Sequence, residues 1–579
     1  MTLVAEQTFA PPGPGSWFLD PTHWTRPVTR FHAEIFPDAF QRGFGESLRR
    51  YGSLLEYLEA GFVNGFPYFC ARPVGAPREA VGHPPKEVWD ELARSHPMIR
   101  RRLETSATVF ERKLWREDLE RWDREVKPAA IRAHLALLAV DPAALDTPAL
   151  LAYVDRCREN LIRGAYLHHL FNVPALLPVG DFLVHAQEWT GRSPAQLLGL
   201  LQGANPDPLG ADEELARLVG ALRLDTAATA LLTSAGEPGE VVAALRSLSG
   251  DTGRLASAYV DRVAYRPVNG EDVGDPSVHE LPELIVGAIR TAFDRLETPP
   301  ANDLDRKTSE LRDAVPARHR DAFDALLEEA RATYRLRDER GTYADLWAIG
   351  IMRRAILAAG RRLTAAGRLA DPGHLVEAGY AELRSLVESG DGPSGEELAE
   401  RARYRLKARY ADAPAFLGGE PGDPLPPEWL PPAAARLERA IGTAVQAIFA
   451  APKPRTEERK VHGVGVSPGV YEGTARVIRG TEEFGRIERG DVLVTNSTTT
   501  AFNIVLPLLG AIVTDRGGLL SHAAIVAREY GLPAVVGCTD ATSVLLDGAR
   551  VIVDGAAGEV EVVASTPAVT TSRARIRSP

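Results

Sequence analysis

The pattern of the sequence changes near residue 460, and this change constrains the fold more than any other feature. From Trp17 to about Tyr410 apolar residues recur at spacings of three and four, which is typical of amphipathic helices. From Val461 to Val563 short β-branched runs alternate with glycines, as in GTARVI and GDVLVT. A chain of 579 residues is also too long for one core. We therefore predict a multidomain protein: a large, mainly α-helical N-terminal region followed by a small α/β domain.

Composition sets the boundaries of these regions. The N-terminal stretch is rich in Pro and Gly, the segment APKPRTEERK is polar and typical of a linker, and the C-terminal tail is rich in Ser, Thr and Arg. The predicted regions are a disordered N-terminus at 1–16, a helical region at 17–450, a linker at 451–460, the α/β domain at 461–563 and a disordered tail at 564–579.

Charge and composition exclude several classes of function. The net charge of −11 argues against nucleic acid as the main partner, because phosphate binding needs a basic surface. The sequence contains no uncharged apolar stretch of about 18 residues and no signal-peptide pattern at its start. Its three cysteines are far apart and predict neither a disulfide framework nor a zinc site. We expect a cytoplasmic protein that binds neither a membrane nor a metal ion.

The clearest chemical pattern lies in the α/β domain. A predicted strand, Ala511–Thr514, leads through two glycines to a helix that begins near Ser521, and a second strand follows at Ala534–Val536. Serine is a preferred N-cap, so His522 falls in the first helical turn. A phosphoryl group on this imidazole would face free amide groups and the positive end of the helix dipole. Neutral imidazole can attack phosphorus, so the pattern indicates covalent catalysis by histidine.

The stretch IVTDRGGLLSHAAIVAREYGLPAVVG closely resembles the phosphohistidine motif in the swivelling domain of the PEP-utilising enzymes. That family includes pyruvate phosphate dikinase, PEP synthase, rifampin phosphotransferase and phenylphosphate synthase. The flanking segments GVGVSPGVYEGTARV and DGARVIVDGAAGEVEV are similar too. The resemblance implies that His522 receives a phosphoryl group at one site and delivers it at another. It also assigns to the catalytic site Ser521, Gly517, Gly518 and Arg528.

Two other parts of the family have no visible counterpart in the sequence. No segment resembles an ATP-grasp domain, no GxxxxGK[ST] pattern occurs, and the PEP/pyruvate barrel is missing. The resemblance therefore implies a split enzyme. A separate ATP-grasp subunit, similar to the N-terminal part of PEP synthase, is expected to bind ATP and Mg²⁺ and to load His522.

The helical region resembles, more loosely, the substrate-binding region of rifampin phosphotransferase-like proteins, chiefly at WTRPV and YRLRDERGTYADLWAIGIMRRAILAAGRRLTAAGRLADPGHL. This implies a small organic acceptor. On a helical wheel Arg337 continues an apolar stripe and Arg353 lies within another. A charge on an apolar face must be paired or must bind an anion. A structural ion pair with Asp338, Glu339 or Asp345 and contact with phosphoryl oxygens are both open.

Histidines of the helical region have more than one interpretation. His169 lies on an apolar stripe and is either a core residue or a general base for an acceptor hydroxyl. A metal site from His168, His169 and His185 is disfavoured, because adjacent histidines point to different faces of a helix. Similarly, the aromatic residues between Trp17 and Phe36 fit either a pocket or ordinary core packing. The candidate substrate-binding residues are Arg337, Arg353, Glu339 and His169.

The sequence thus predicts a phosphotransferase subunit that carries a phosphoryl group on His522 to a hydroxyl of a small organic acceptor. Two alternatives remain. The chain could be a non-catalytic phosphocarrier whose helices bind a protein, or phosphorylation could activate a hydroxyl for a dehydratase or ligase reaction.

Overall fold

The structure is a computed structural model, and it describes residues 8–21, 23–24, 26–205, 207, 211–268, 270–294, 304–449, 456–457, 460–498, 502 and 505–564. The chain divides into two compact bodies. We call the described residues 8–449 the N-terminal body, and the described residues 456–498 and 505–564 the C-terminal body. As predicted, the first is mainly helical and the second is rich in strands.

Helices make up most of the N-terminal body. Their bounds are α1 (Arg30–Tyr51), α2 (Lys86–Ser95), α3 (Pro97–Arg112), α4 (Leu114–Arg121), α5 (Lys127–Leu138), α6 (Thr147–Leu170), α7 (Asn172–Thr190), α8 (Pro194–Leu198), α9 (Asp212–Leu224), α10 (Thr226–Thr233), α11 (Pro238–Ser247), α12 (Asp251–Val263), α13 (Pro282–Asp294), α14 (Leu304–Ala314), α15 (Arg320–Tyr334), α16 (Leu336–Arg340), α17 (Trp347–Ala365), α18 (Tyr380–Glu388), α19 (Gly395–Lys407) and α20 (Pro432–Phe449). Two π-helical segments, Trp122–Val126 and Gly341–Leu346, interrupt the regular helices.

A large hydrophobic core of this body lies among α1, α6 and α17. Phe31, Tyr153 and Trp347 are fully buried there, which explains the apolar stripes of these helices. The continuous stretch Thr147–Thr190 is apolar and long enough to cross a membrane, but 83% of its most apolar window is buried inside the protein. Burial of this kind is typical of a core helix.

A four-stranded antiparallel sheet in the N-terminal body was not predicted. Its strands are β1 (Trp17–Leu19), β2 (Leu55–Val63), β3 (Phe66–Pro73) and β4 (Phe416–Leu417), in the order β2-β3-β1-β4. The turn between β2 and β3 is Asn64-Gly65, with φ of 54° and 80°. An Asn-Gly pair between apolar runs is a strong hairpin signal, and the helical interpretation of this region overlooked it.

The described part of the N-terminus, residues 8–16, also differs from the disorder predicted for it. The hydroxyl of Ser16 donates to the carbonyl of Gly419 at 2.7 Å, and the ring of Phe9 contacts Phe66. Aromatic burial therefore compensates for the high Pro and Gly content. Most of the predicted linker, 451–455 and 458–459, and the tail 565–579 lie outside the described residues.

The C-terminal body is one sheet with short helices. Its elements are β5 (Thr456–Glu457), β6 (Lys460–His462), β7 (Val464–Ser467), β8 (Val470–Ile478), β9 (Val492–Thr495), β10 (Ala511–Thr514), α21 (His522–Tyr530), β11 (Ala534–Val536), α22 (Ala541–Val544), β12 (Arg550–Asp554) and β13 (Glu559–Ala564). The strand order is β5-β6-β13-β12-β8-β9-β10-β11-β7.

Strands β8 to β11 run parallel to one another, and α21 connects β10 to β11. Thr514 pairs with Thr495, so β9 and β10 end at the same level of the sheet. Ligand sites in such sheets lie outside the carboxyl ends of the parallel strands. The segment that carries His522 leaves the sheet at this edge.

Candidate functional site

His522 occupies the first position of helix α21, as the sequence predicted. Ser521 caps the helix: its backbone is extended, with φ −69° and ψ 160°, and its Oγ accepts a hydrogen bond from the amide of Ala524 at 3.4 Å. The backbone amides of a first helical turn have no carbonyl partner within the helix. The half-buried imidazole therefore stands beside donors that favour an anion.

The two glycines shape the loop before this helix. Gly517 has φ of +111°, a region that side chains with a Cβ rarely enter, and a Cβ there would lie 2.7 Å from the Oγ of Ser521. The carbonyl of Gly518 accepts from the amide of Ser521 at 3.1 Å. The loop thus folds tightly against the helix cap, which only a residue without a side chain permits at position 517.

Arg528 lies beneath the glycine loop. It is 4% exposed, and its guanidinium donates to the carbonyls of Leu519 at 2.7 Å and Val466 at 3.3 Å. These bonds tie the glycine loop and strand β7 to helix α21. Arg528 therefore has a structural role: it fixes the loop that precedes His522.

Thr498 is a site residue that sequence reasoning missed. It follows strand β9, and its Oγ1 lies 2.9 Å from Nδ1 of His522. Thr498 stands 24 positions before the histidine in an ordinary Ser/Thr run, so the sequence carries no signal of this contact. The hydrogen bond fixes the plane of the imidazole and engages one of its two nitrogens.

In the N-terminal body two of the predicted substrate-binding residues are held in ion pairs. Arg353 binds Glu280 through Nε at 2.7 Å and Nη2 at 2.8 Å. Glu339 is buried and accepts from Trp122 Nε1 and Arg335 Nη1, each at 2.8 Å. The structure therefore pairs Arg353 with a carboxylate outside the set that the sequence suggested, and both residues hold helices together.

His169 is packed among aromatic rings. Its Nδ1 lies 2.6 Å from the carbonyl of Ala165 in its own helix, and its ring contacts those of Phe36 and Phe40. Burial holds the pKa of His169 well below its ordinary value. These surroundings are those of a core histidine. The aromatic residues Trp17, Trp24, Phe31 and Phe36 are likewise buried in the core.

Arg337 lies in a cluster of ionisable groups around His168, the neighbour of His169. Its positive charge lowers the pKa values of four neighbours, His23, His168, Glu271 and Asp338. The ring of His168 stacks on that of His169, with centroids 4.6 Å apart, and its Nδ1 lies 2.8 Å from Oδ2 of Asp345. Sequence reasoning placed a possible base at position 169, whereas the structure joins the adjacent histidine to a carboxylate.

Burial shifts the ionisation of this cluster. It raises the pKa of Asp345 to about 7, although the charge of Arg340 opposes the shift. It also raises the pKa of Glu271 to about 7, with His23 opposing. Burial and the nearby Arg337 lower the pKa of Arg340 to about 9. Perturbed groups of this kind concentrate at functional sites, because chemistry near neutral pH requires them.

The fold and the position of His522 define a histidine-bearing α/β domain with its site at the carboxyl edge of parallel strands. Residues 487–558 match the PEP-utilising enzyme mobile domain. The matched segment lies in the C-terminal body and includes His522.

Several known proteins are similar to this chain. Chondramide synthase of Chondromyces crocatus is 29% identical over 472 residues, which are 77% of this chain and 12% of that protein. Rifampicin phosphotransferase of a Streptomyces species is 30% identical over 319 residues, 53% of this chain and 34% of that protein. Phosphoenolpyruvate synthase of Aeropyrum pernix is 52% identical over 101 residues, 17% of this chain and 12% of that protein. The chain thus spans about a third or less of each relative.

Proposed function

We propose that this chain is a phosphotransferase component that carries a phosphoryl group on His522 and transfers it to a hydroxyl of a small organic acceptor held by the N-terminal body. A separate ATP-grasp subunit loads the histidine from ATP and Mg²⁺. The observation that carries the proposal is the position of His522: an imidazole at the capped start of α21, with Nδ1 held by Thr498.

This geometry suits an imidazole that accepts and releases a phosphoryl group. When Nδ1 donates its hydrogen to Thr498, the lone pair lies on Nε2, which is then the nucleophile. The helix dipole and the first-turn amides stabilise the negative charge of the bound phosphoryl group. Arg528 and Gly517 hold the loop before His522 in its tight conformation.

Transfer to an organic acceptor is supported by the extent of the similarity to rifampicin phosphotransferase. The 319 matched residues exceed the whole of residues 450–579, so the similarity includes part of the N-terminal body. The name of that relative describes transfer to an organic molecule. Arg337, in the cluster around His168, is the residue of this body that we assign to neutralising phosphoryl oxygens.

Loading of His522 can be tested without a partner protein. Potassium phosphoramidate phosphorylates imidazoles directly, and phosphohistidine is stable in base and labile in acid. We expect mass spectrometry of the treated chain to show acid-labile phosphate on the peptide that contains His522. His522→Asn supplies the background from the other histidines. Equal labelling of the chain and of this variant would overturn the proposal.

The ATP arm of the same experiment uses labelled ATP, Mg²⁺ and an ATP-grasp protein of the PEP synthase type. Label on His522 supports the split enzyme, and label elsewhere counts against it. The mass of the acceptor product then separates the alternatives. Gain of one phosphate supports phosphotransfer, whereas loss of water indicates that phosphorylation activates the hydroxyl for elimination.

A further inference from the structure

The contact between His168 and Asp345 joins two distant parts of the N-terminal body. His168 lies in the last turn of α6, and Asp345 lies in the π-helical segment Gly341–Leu346, 177 positions later in the sequence. Nδ1 of the imidazole and Oδ2 of the carboxylate are 2.8 Å apart. A buried carboxylate on Nδ1 fixes the ring and its tautomer, and leaves Nε2 for proton transfer.

Two features of the backbone bring His168 and Asp345 together: a glycine on α6 and a π-helical turn that packs against it. Gly164 lies one turn before His168 on α6, and a Cβ there would come within 2.3 Å of the carbonyl of Ala344. The two helices therefore approach more closely than side chains would allow. The carbonyl belongs to the π-helical segment, and π-helical turns are frequent at functional sites. A glycine and an irregular turn coincide at the position where Asp345 meets the histidine.

Asp345 also has an oxygen that the described residues do not satisfy. Its Oδ1 is buried without a hydrogen-bond partner among them, and the residue is 5% exposed. Nε2 of His32 is likewise buried without a hydrogen-bond partner among the described residues. Both residues line a cavity of about 10 Å³ together with Glu271 and the side chains of Ile35, Phe36, Leu161, Ala165 and Ile349. This volume holds a group about as large as one water molecule or a hydroxyl.

The two members of the pair differ in access. The side chain of His168 keeps 14% of its surface exposed, against 7% for Asp345. The positive charges of Arg337 and His23 lower the pKa of His168, and the negative charge of Glu271 raises the pKa of His23. Charges of both signs therefore lie near His168, and one of them, Glu271, also lines the cavity next to Asp345.

We infer that His168, oriented by Asp345, is the general base that takes the proton of the acceptor hydroxyl, and that the acceptor is an uncharged organic alcohol. This inference rests on the proposed function. The mixed charges around His168 favour a neutral molecule, and the cavity of about 10 Å³ next to Asp345 has room for no more than a hydroxyl-sized group. Arg337 faces the phosphoryl oxygens.

The step conserves atoms and charge. The O–H bond of the acceptor breaks, its proton passes to Nε2 of His168, and its oxygen forms a bond to phosphorus. The P–N bond to His522 breaks, and its electron pair returns to the imidazole. His168 then releases its proton to water, and the product is a phosphate monoester. Burial keeps the pKa of His168 low, so the ring is neutral near pH 7 and passes its proton on to water readily.

The test uses the full chain loaded with phosphoramidate and challenged with benzyl alcohol, an uncharged alcohol with an apolar frame. We expect benzyl phosphate from the unmodified chain and a loss of about 100-fold in His168→Ala, the scale of general-base catalysis. Free imidazole should restore at least part of this loss, which a purely structural role would not allow. Asp345→Asn should lower kcat with little change in KM, because it keeps the imidazole but not its orientation.

His185→Gln is the matched control, since His185 lies in the same body and pairs with Asp181. Equal rates for His168→Ala and the unmodified chain overturn the inference while leaving phosphorylation of His522 intact. Absence of benzyl phosphate from the loaded, unmodified chain overturns the acceptor class. Failure to load His522 overturns the proposed function instead, so the two failures are distinct.

A second measurement covers the case in which His168→Ala does not fold. Diethyl pyrocarbonate modifies neutral, accessible imidazoles, and we expect it to modify His168 at least tenfold faster than His134. The latter is buried, with Nε2 bound to the carbonyl of Tyr343 at 3.0 Å. Similar rates at the two positions would overturn the assignment of His168 as a base.

Discussion

Nδ1 of His522 lies 2.9 Å from Oγ1 of Thr498, and this contact joins the start of helix α21 to the end of strand β9. The two residues follow the neighbouring parallel strands β10 and β9, which end at the same level. The imidazole is therefore held by the sheet itself as well as by its own helix. A histidine held in this way keeps one orientation of its ring.

The Thr498 contact predicts that Thr498→Val slows phosphorylation of His522. Valine keeps the shape of threonine but loses the hydroxyl, so the tautomer with hydrogen on Nδ1 is no longer favoured. A hydrogen bond of this kind contributes about 1 kcal/mol, so we expect a decrease of about fivefold in the initial rate with phosphoramidate. Thr474→Val, on strand β8, is the control. An unchanged rate in Thr498→Val would show that the contact does not set the tautomer.

Gly517 predicts a difference between two glycine variants of the same loop and helix. Both Gly517 and Gly531 have positive φ, 111° and 66°, but a Cβ at 531 meets no atom within 4 Å. Gly531→Ala therefore costs only the strain of a left-handed backbone, about 1–2 kcal/mol, whereas Gly517→Ala also displaces Ser521. We expect Gly517→Ala to lower both the thermal stability of the C-terminal body and the rate of loading by more than Gly531→Ala does. Similar behaviour of the two variants would contradict this interpretation of the loop.

The same substitution, Arg to Gln, should change stability at position 353 and phosphoryl transfer at position 337. Arg353 is bound through two nitrogens to Glu280, and removal of one partner of a buried pair costs about 3 kcal/mol. Arg353→Gln should thus lower the temperature of unfolding. Arg337→Gln should reduce the yield of benzyl phosphate about tenfold or more, because Arg337 is assigned to the phosphoryl oxygens. Loss of stability in both variants, with transfer unaffected in Arg337→Gln, would remove Arg337 from the acceptor site.

The raised pKa of Asp345 predicts how pH changes stability. Burial raises this pKa from about 4, its ordinary value, to about 7 in the folded protein. The unfolded chain therefore releases this proton at lower pH than the folded chain does. The contribution of the protonated carboxyl to stability is complete below pH 4 and is lost as pH rises toward 7.

Asp345→Asn has no proton to lose, so its stability relative to the unmodified chain should increase between pH 5 and pH 8. Thermal unfolding at several pH values measures this difference, and comparing the two proteins at each pH cancels the titration of the histidines. A difference that stays constant across the range would show that Asp345 is ionised throughout.

Local sequence determined the centre of the C-terminal site. The strand Ala511–Thr514, the two glycines, the cap at Ser521 and the strand Ala534–Val536 are contiguous, and each has a conformational preference of its own. These preferences act over a few residues, so composition and spacing were enough to place His522 at the start of a helix. The change from a helical to a strand-rich pattern was also readable, because the apolar period differs between the two.

Tertiary structure alone decided which side chains meet. A helical wheel put Arg353 on an apolar face but could not name Glu280, which lies 73 positions earlier on a separate element. It selected His169 over His168, because a wheel shows the apolar face of a helix and not which residues of other elements contact each position. The close approach of Gly164 to a π-helical turn brings Asp345 to His168, and that approach depends on how two helices pack. Contacts between residues far apart in sequence follow from packing, and packing is a property of the whole core.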